Sequence, residues 1–187
     1  MKIFFSSILL LLMSITTNSQ NKLPYYEIPQ EAEEFTAGTV VGRMIDGLGF
    51  RYYWATDGLT QEDLEYKPST EAKTAGETID HVLSLSIVIK NAALKVPHKE
   101  VKSEMTFAEK RKATLENLKL ASDIFRRSTD ISRHKIIFGE KEHPLWNAIN
   151  GPIADATWHA GQLASFRRAS GNPINSKINH FTGTVRQ

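Results

Sequence analysis

Asp155-Ala-Thr-Trp-His159-Ala-Gly-Gln162 is a stretch that combines helical spacing with side chains that can bind a metal ion. Asp155 and His159 are four residues apart, so an α-helix places both on one face, one turn from each other. A carboxylate and an imidazole so placed can bind one divalent cation. They can equally form an Asp–His hydrogen bond that joins two helices, and the spacing alone leaves both interpretations open. Gln162, three residues further on, lies on the same side of the helix.

The predicted helix carries this stretch at the edge of an apolar stripe. Ala148 and Phe166 fall at nearly the same angle as Asp155, and apolar residues run alongside: Ile149, Ile153, Ala156, Ala160 and Leu163. A charge beside such a stripe costs free energy unless it is paired or bound to a metal ion. We therefore expect Asp155 to have a partner.

Length and composition restrict the class of protein. The chain has 187 residues, enough for one domain with a sizeable core. Its formal net charge is +2, with Lys and Arg scattered among Asp and Glu, which gives no reason to expect nucleic-acid binding. It contains no cysteine, so a disulfide, a thiolate nucleophile and a Cys-ligated zinc site are excluded. Any thiol chemistry would need a thiol from another molecule.

Residues 1–19 have the pattern of a cleaved secretory signal peptide. Lys2 supplies the positive charge, residues 3–13 form a short and mainly apolar run, and residues 14–19 are mainly small and polar. The apolar run is too short to span a bilayer stably, and no cysteine follows it that could carry a lipid anchor. We predict an exported protein, periplasmic or secreted, that begins near Gln20 and has no stable membrane anchor after cleavage.

The first half of the mature chain has the signals of two long helices. An extended leader, 20–34, contains two prolines and precedes a first helix over about 35–57, in which apolar residues recur every three or four positions. A second helix begins at Thr74, because Thr74 and Glu77 form a capping box. Pro97 ends this helix.

The second half has the signals of two further helices. The capping box Thr106-Phe-Ala-Glu109 opens a third helix that reaches about Arg127. Residues 136–139 are predicted as a short strand or a buried loop. The last helix is predicted over 144–170, with Pro144 in its first turn and a kink or restart at Pro152.

Four long helices joined by modest loops predict an all-α fold, a four-helix bundle over residues 35–175. The tail, 176–187, is predicted to be irregular. Arg167 points along the apolar stripe of the last helix, where an always-charged guanidinium needs a partner. We therefore expect Arg167 to reach a carboxylate or an anionic ligand.

His81 lies on an apolar face of the second helix, in line with Leu85 and Val88. The usual explanation for such a histidine is a core side chain with a hydrogen-bond partner. Glu77, one turn earlier, could join a metal site with His81. The capping box with Thr74 explains Glu77 more simply.

Two motifs resemble the DinB-like superfamily. Trp158-His-Ala-Gly-Gln162, followed by Phe166-Arg-Arg and Ser170-Gly-Asn-Pro, resembles the last helix of that family. Gly76-Glu-Thr-Ile-Asp-His81 resembles its helix with a single histidine, and the similarity covers about residues 38–173. The resemblance implies a four-helix bundle that holds one divalent metal ion, often zinc or nickel, with three side chains. By position these are His81, Asp155 and His159.

Asp155 departs from the usual three histidines of the family. Carboxylate oxygen and imidazole nitrogen both suit zinc and similar ions, so the departure is chemically compatible with metal binding. The branch that resembles thiol-dependent maleylpyruvate isomerases likewise uses a carboxylate at this position.

The resemblance also implies a metal-dependent hydrolase or transferase that acts on a small molecule. Three protein ligands leave a fourth position for water or substrate. Export argues against transfer of a cytoplasmic thiol, so a hydrolase fits the compartment better. Glu77 as a general base and Gln162 as a residue that orients a ligand are the further catalytic candidates.

Other functions and assemblies are compatible with the same residues. A non-catalytic bundle could keep the site only to bind a metal ion or a ligand, and a closed fourth position would distinguish it. A two-metal site would pair Glu77 and His81 with Asp155 and His159. The known di-iron pattern instead spaces Glu and His by three and adds Glu from two other helices. A homodimer is an assembly that the sequence allows.

Overall fold

The computed structural model describes residues 22–99 and 104–187 as a helical bundle. Its helices are, in chain order, α1 (Ala37–Thr56), α2 (Gln61–Glu65), α3 (Ala75–Leu94), α4 (Phe107–Arg126), α5 (Trp146–Ala148) and α6 (Ala154–Ala169). The long helices α1, α3, α4 and α6 confirm the predicted bundle, and the bounds of the first three agree with prediction to within a few residues. The short helix α2 was not predicted. The expected signal peptide, 1–19, lies outside the described residues.

Helix α1 packs closely on α4 because glycines of α1 lie at the contact. A Cβ atom at Gly38 would overlap the carbonyl oxygen of Phe125, and one at Gly42 would lie 2.7 Å from Cγ of Arg126. Glycine thus permits a close approach at a cost in intrinsic helix propensity. The core between the long helices is apolar and fully buried: Ile45, Leu48, Val82, Ile89, Leu115, Leu118 and Leu163.

A two-stranded ribbon stands where the last helix was expected to begin. Strand β1 (Lys135–Phe138) pairs antiparallel with β2 (Lys141–Pro144), and Gly139 turns between them with φ of 58°. Of the two alternatives predicted for 136–139, a short strand or a buried loop, the strand is therefore the one present. The placement of Pro144 in a helix was wrong, because Pro144 ends β2, where a proline without an N–H group is tolerated at a strand edge.

The start of α6 is set by an interruption of the helix. Between α5 and α6 the chain makes a π-helical turn, Ile149–Ile153, in which Gly151 has non-helical torsion angles (φ −90°, ψ −109°) directly before Pro152. Proline disfavours helical torsion angles at the preceding residue, and glycine accepts the resulting conformation most easily. The predicted kink is confirmed, and it sets where the first turn of α6 points.

The leader and the tail are more ordered than predicted. Tyr25 in the leader is 3 % exposed and belongs to the core. The tail, predicted as irregular, forms a ribbon of β3 (Ile178–Asn179) and β4 (Thr184–Val185). The amide of Ile28 donates to the carbonyl of Gly183 at 2.9 Å, so the two ends of the domain hold each other.

Arg167 is buried as predicted, but its partners are different. Its guanidinium donates to the carbonyl oxygens of Trp54 (2.8 Å), Asp57 (2.9 Å) and Asn172 (2.6 Å), and to the Asn172 side chain. Asn172 in turn donates to the carboxylate of Asp63 at 2.7 Å. Arg167 therefore reaches the carboxylate of Asp63 only through Asn172, because carbonyl oxygens are the nearer acceptors of its guanidinium. No helix in the described part of the chain combines the length and apolar character needed to cross a membrane.

Candidate metal centre

Helix α3 presents His81 one turn after its capping box. The hydroxyl of Thr74 accepts from the amide of Glu77 at 3.1 Å, and the carboxylate of Glu77 accepts from the amide of Thr74 at 2.8 Å. These bonds fix the first turn of the helix and hence the direction of the next one. They also occupy Glu77, which therefore lies outside the cluster that His81 joins.

Helix α6 presents Asp155 and His159 from its first two turns, directly after the π-helical turn. Their side chains lie on the face of α6 that meets α3, as the four-residue spacing predicts. Trp158, between them on the solvent side, is 71 % exposed. The interruption at Gly151 and Pro152 therefore comes directly before the two candidate ligands of α6. π-Helical turns are frequent at functional sites.

Asp155 lies between two imidazoles. Its Oδ2 atom is 3.2 Å from Nε2 of His81, and its Oδ1 atom is 3.3 Å from Nε2 of His159. The two imidazole rings are nearly perpendicular, with centroids 4.8 Å apart. One candidate ligand atom from each of the three residues lies within 4.8 Å of the others, and no second such group occurs within residues 22–99 and 104–187. The structure thus brings together the three predicted residues.

The donor set fits one divalent ion. Zinc bound tetrahedrally by imidazole nitrogen and carboxylate oxygen has bonds of about 2.0–2.2 Å, which places neighbouring donor atoms about 3.3 Å apart. Each imidazole nitrogen lies near that separation from a carboxylate oxygen of Asp155, His81 from Oδ2 and His159 from Oδ1. Two nitrogens and a carboxylate also match the ligand preferences of zinc and nickel.

Gln162 determines which nitrogen of the neutral His159 ring carries the proton. Its Oε1 atom is 2.6 Å from Nδ1 of His159, so Nδ1 carries the hydrogen and donates it. In a neutral ring, Nε2 then directs a lone pair at the carboxylate, and two lone pairs repel unless a cation lies between them. An imidazolium would remove the repulsion without an ion. Gln162 thus prepares His159 for metal binding in the way that outer hydrogen bonds orient metal-ligating histidines.

The cluster is open to solvent. The side chains of His81, Asp155 and His159 are 34 %, 38 % and 20 % exposed. In the described chain, Asp155 forms ion pairs with these two histidines and with no lysine or arginine. The cluster therefore has one fixed negative charge, no fixed positive charge and a free side facing water.

A second aspartate cluster was missed by the sequence analysis. Asp46 on α1 is 0 % exposed, accepts from the hydroxyl of Tyr25 at 3.1 Å and pairs with the guanidinium of Arg126 on α4. Burial, and next the charge of Asp46, raise the pKa of the Tyr25 phenol well above its usual value, so Tyr25 stays a neutral donor. The signal was present in the sequence, since Asp46 is a charge within the apolar run of α1.

The chain matches no protein-family model, no curated protein and no solved structure in comparisons with known proteins. The resemblance to the DinB-like superfamily therefore stays a prediction from the two helical motifs. What the residues can do is argued below from the chemistry of the site.

Proposed function

We propose that this protein is an exported, DinB-like metalloprotein that binds one divalent ion, zinc or nickel, through His81, Asp155 and His159. We further propose that it acts on a small molecule as a metal-dependent hydrolase or transferase, with hydrolysis favoured by export. The observation that supports this is the convergence of three ligand atoms within 4.8 Å from two helices. A bound ion would supply Lewis acidity toward a substrate oxygen.

The protein's own residues have separate tasks in this proposal. Helix α3 contributes His81, and α6 contributes Asp155 and His159, so the ion would join the two helices. Gln162 holds Nδ1 of His159 and keeps Nε2 directed at the site. The exposed side of the cluster leaves room for a small molecule to approach.

One observation favours the non-catalytic alternative. Glu77 was a candidate general base, and its carboxylate is held by the amide of Thr74 at 2.8 Å. Hydrolysis needs a group that accepts a proton from the attacking water or gives one to the leaving group. A protein that binds metal without catalysis is therefore the second candidate function, and an assay for activity separates the two.

The test is the metal content of the purified mature chain. After dialysis against zinc or nickel and removal of free ion, we expect about one ion per wild-type chain, since one three-ligand cluster is available. The double variant His81→Ala/His159→Ala should hold almost none, whereas His143→Ala, a histidine in strand β2, should keep the full content. Equal metal in the wild type and the double variant, or none in the wild type, would make the assignment wrong.

Activity is tested on the same samples. Hydrolysis of small ester, amide and phosphate substrates by the loaded wild type, absent in the chelated protein and the double variant, supports the enzyme. Stoichiometric metal without turnover of any of these substrates, or of a thiol-transfer pair, supports the metal-binding bundle.

A further inference from the structure

A large groove lies on the side of the bundle away from the metal cluster. It runs along α1 between the leader and the start of α6 and has a volume of about 1050 Å³. The π-helical turn contributes Ile153 to its wall, and helix α6 contributes Ala154 and Thr157. Thr157 is about 200° around the helix from Asp155, so the groove and the metal cluster use opposite faces of α6.

The groove has an apolar floor and exposed apolar edges. Leu48 and Ile153 form buried parts of the floor, at 1 % and 2 % exposure. Val40 and Met44, one turn apart on α1, are 46 % and 41 % exposed, and Phe35 beside them is 96 % exposed. Clustered apolar side chains of this exposure mark interaction sites more often than ordinary surface.

Apart from Arg126, which pairs with the buried Asp46, and Arg43, which the carbonyl of Pro29 holds, the charges of the groove are separated along its length. Glu31, Glu33 and Glu34 lie at the end formed by the leader, and all three are exposed. Arg51 lies at the opposite end, about 20 Å away along α1. Its guanidinium donates to the carbonyl of Gly47 at 2.9 Å, and it forms no ion pair within the described residues.

We propose that this groove is the interface of a homodimer. A two-fold axis perpendicular to α1 would pack the α1 helices of two copies in antiparallel orientation. Each end of the groove would then face the opposite end of the groove in the second copy. The acidic end of one copy would then face Arg51 of the other, at both ends of the interface. Val40 and Met44 would pack against the same pair of the second copy, and Phe35 would enter the opposite groove.

The charge pattern favours a second copy over a small anionic ligand. An anion drawn to Arg51 and Arg43 would share the groove with three glutamates, whose charge repels it. In the two-fold arrangement the same glutamates are attractive, because they face arginine. Arg43 is held at the edge of the groove by the carbonyl of Pro29 at 2.8 Å, away from the apolar centre. The proposal leaves the metal cluster exposed in both copies and does not depend on it.

The experiment measures the mass of the mature chain by sedimentation equilibrium over the micromolar range. We expect a dimer for the wild type and a monomer for Met44→Asp, which buries a charge at the centre of the interface. Leu120→Asp is the matched control, because Leu120 lies on the outer face of α4 with 42 % exposure, close to that of Met44. It should dimerise like the wild type, and circular dichroism confirms that each variant is folded.

A charge reversal tests the predicted pairing itself. Arg51→Glu should raise the dimer dissociation constant by about tenfold or more, since like charges then face each other at both ends. The triple variant Arg51→Glu/Glu33→Arg/Glu34→Arg should restore the wild-type constant to within about threefold. A monomeric wild type at high micromolar concentration, equal loss with Leu120→Asp, or no recovery in the triple variant would each overturn the proposal. Native mass spectra that show a monomer carrying a small molecule would overturn it as well.

Discussion

Two aspartates on long helices have opposite surroundings. Asp46 on α1 is completely buried and has a fixed cation, Arg126, and a neutral donor, Tyr25. Asp155 on α6 is 38 % exposed and has two imidazoles as partners. The first cluster contains its own positive charge, whereas the second gains one only from bound protons or from a bound ion.

The difference shows how a structural cluster can be told from a candidate functional one. A buried carboxylate must be paired and hydrogen-bonded by the chain itself, and Asp46 meets that condition. Asp155 is left with partners whose charge depends on conditions and with a side open to water. An aspartate whose counter-charge must come from outside the chain is a better candidate for ion binding than one that is already paired with a cation of the chain.

Matched aspartate variants in a chelating buffer should give the largest contrast. Asp46→Asn leaves the guanidinium of Arg126 in a mostly buried place without its counter-charge, and we expect it to lower the free energy of unfolding by about 3 kcal/mol or more. Asp155→Asn should lower it by less than about 1 kcal/mol, because its carboxylate is partly solvated and has no fixed cation. Urea denaturation of both variants measures this. Equal losses of unfolding free energy would mean that the two clusters contribute equally to stability.

Much of the fold and part of the candidate metal centre were predictable from the sequence, and the rest was not. The four long helices follow from apolar periodicity and capping boxes, which are local signals. The pairing of Asp155 with His159 follows from helical spacing in the same way. The convergence of His81 on that pair depends on how α3 lies against α6, and only the resemblance to a family predicted it.

Most failures of the sequence analysis are long-range, although the short helix α2 was missed despite its local capping box of Thr60 and Asp63. Nothing near Tyr25 indicates that its hydroxyl reaches Asp46, 21 residues away, because no short motif encodes that contact. The ribbon at the C-terminus is stabilised by contacts of Ile178 with Phe50 and Trp54. Because these partners are distant in the sequence, the local pattern of the tail indicated no regular structure. Pro144 was read as a helix start because the partner strand that contains Lys135 is visible only in the fold.

Variants of Gln162 sharpen the comparison at the open cluster. Gln162→Leu removes the acceptor that holds Nδ1 of His159, and we expect about tenfold weaker zinc binding, the usual effect of losing an outer hydrogen bond to a ligand. Gln162→Glu keeps an oxygen acceptor and should bind zinc at least as tightly as the wild type. Competition with a chromophoric chelator measures both constants. Equal weakening in both variants would mean that the residue acts through packing alone.

A third histidine, His134, differs from His81 and His159 because it is buried and both of its ring nitrogens have partners within the chain. His134 is 2 % exposed, and its Nδ1 atom lies 3.0 Å from the carbonyl oxygen of Ala93 at the end of α3. Its Nε2 atom is 3.0 Å from the hydroxyl of Ser128. Nδ1 therefore donates and Nε2 accepts, so the neutral ring satisfies both contacts without an added proton.

The pH dependence of the free energy of unfolding should show that His134 is neutral in the folded protein. We expect this to be the smallest of the effects. Burial lowers the pKa of His134 in the folded protein, although the carbonyls of Ala92 and Ala93 oppose the change. Below the unfolded pKa of about 6.5 the unfolded chain then binds more protons than the folded one, so stability falls as the pH decreases. In chelator, urea denaturation between neutral and mildly acidic pH should show a steeper loss for the wild type than for His134→Gln, which cannot titrate. Parallel curves would contradict a neutral, buried His134, and the contrast between closed and open histidines would lose its physical basis.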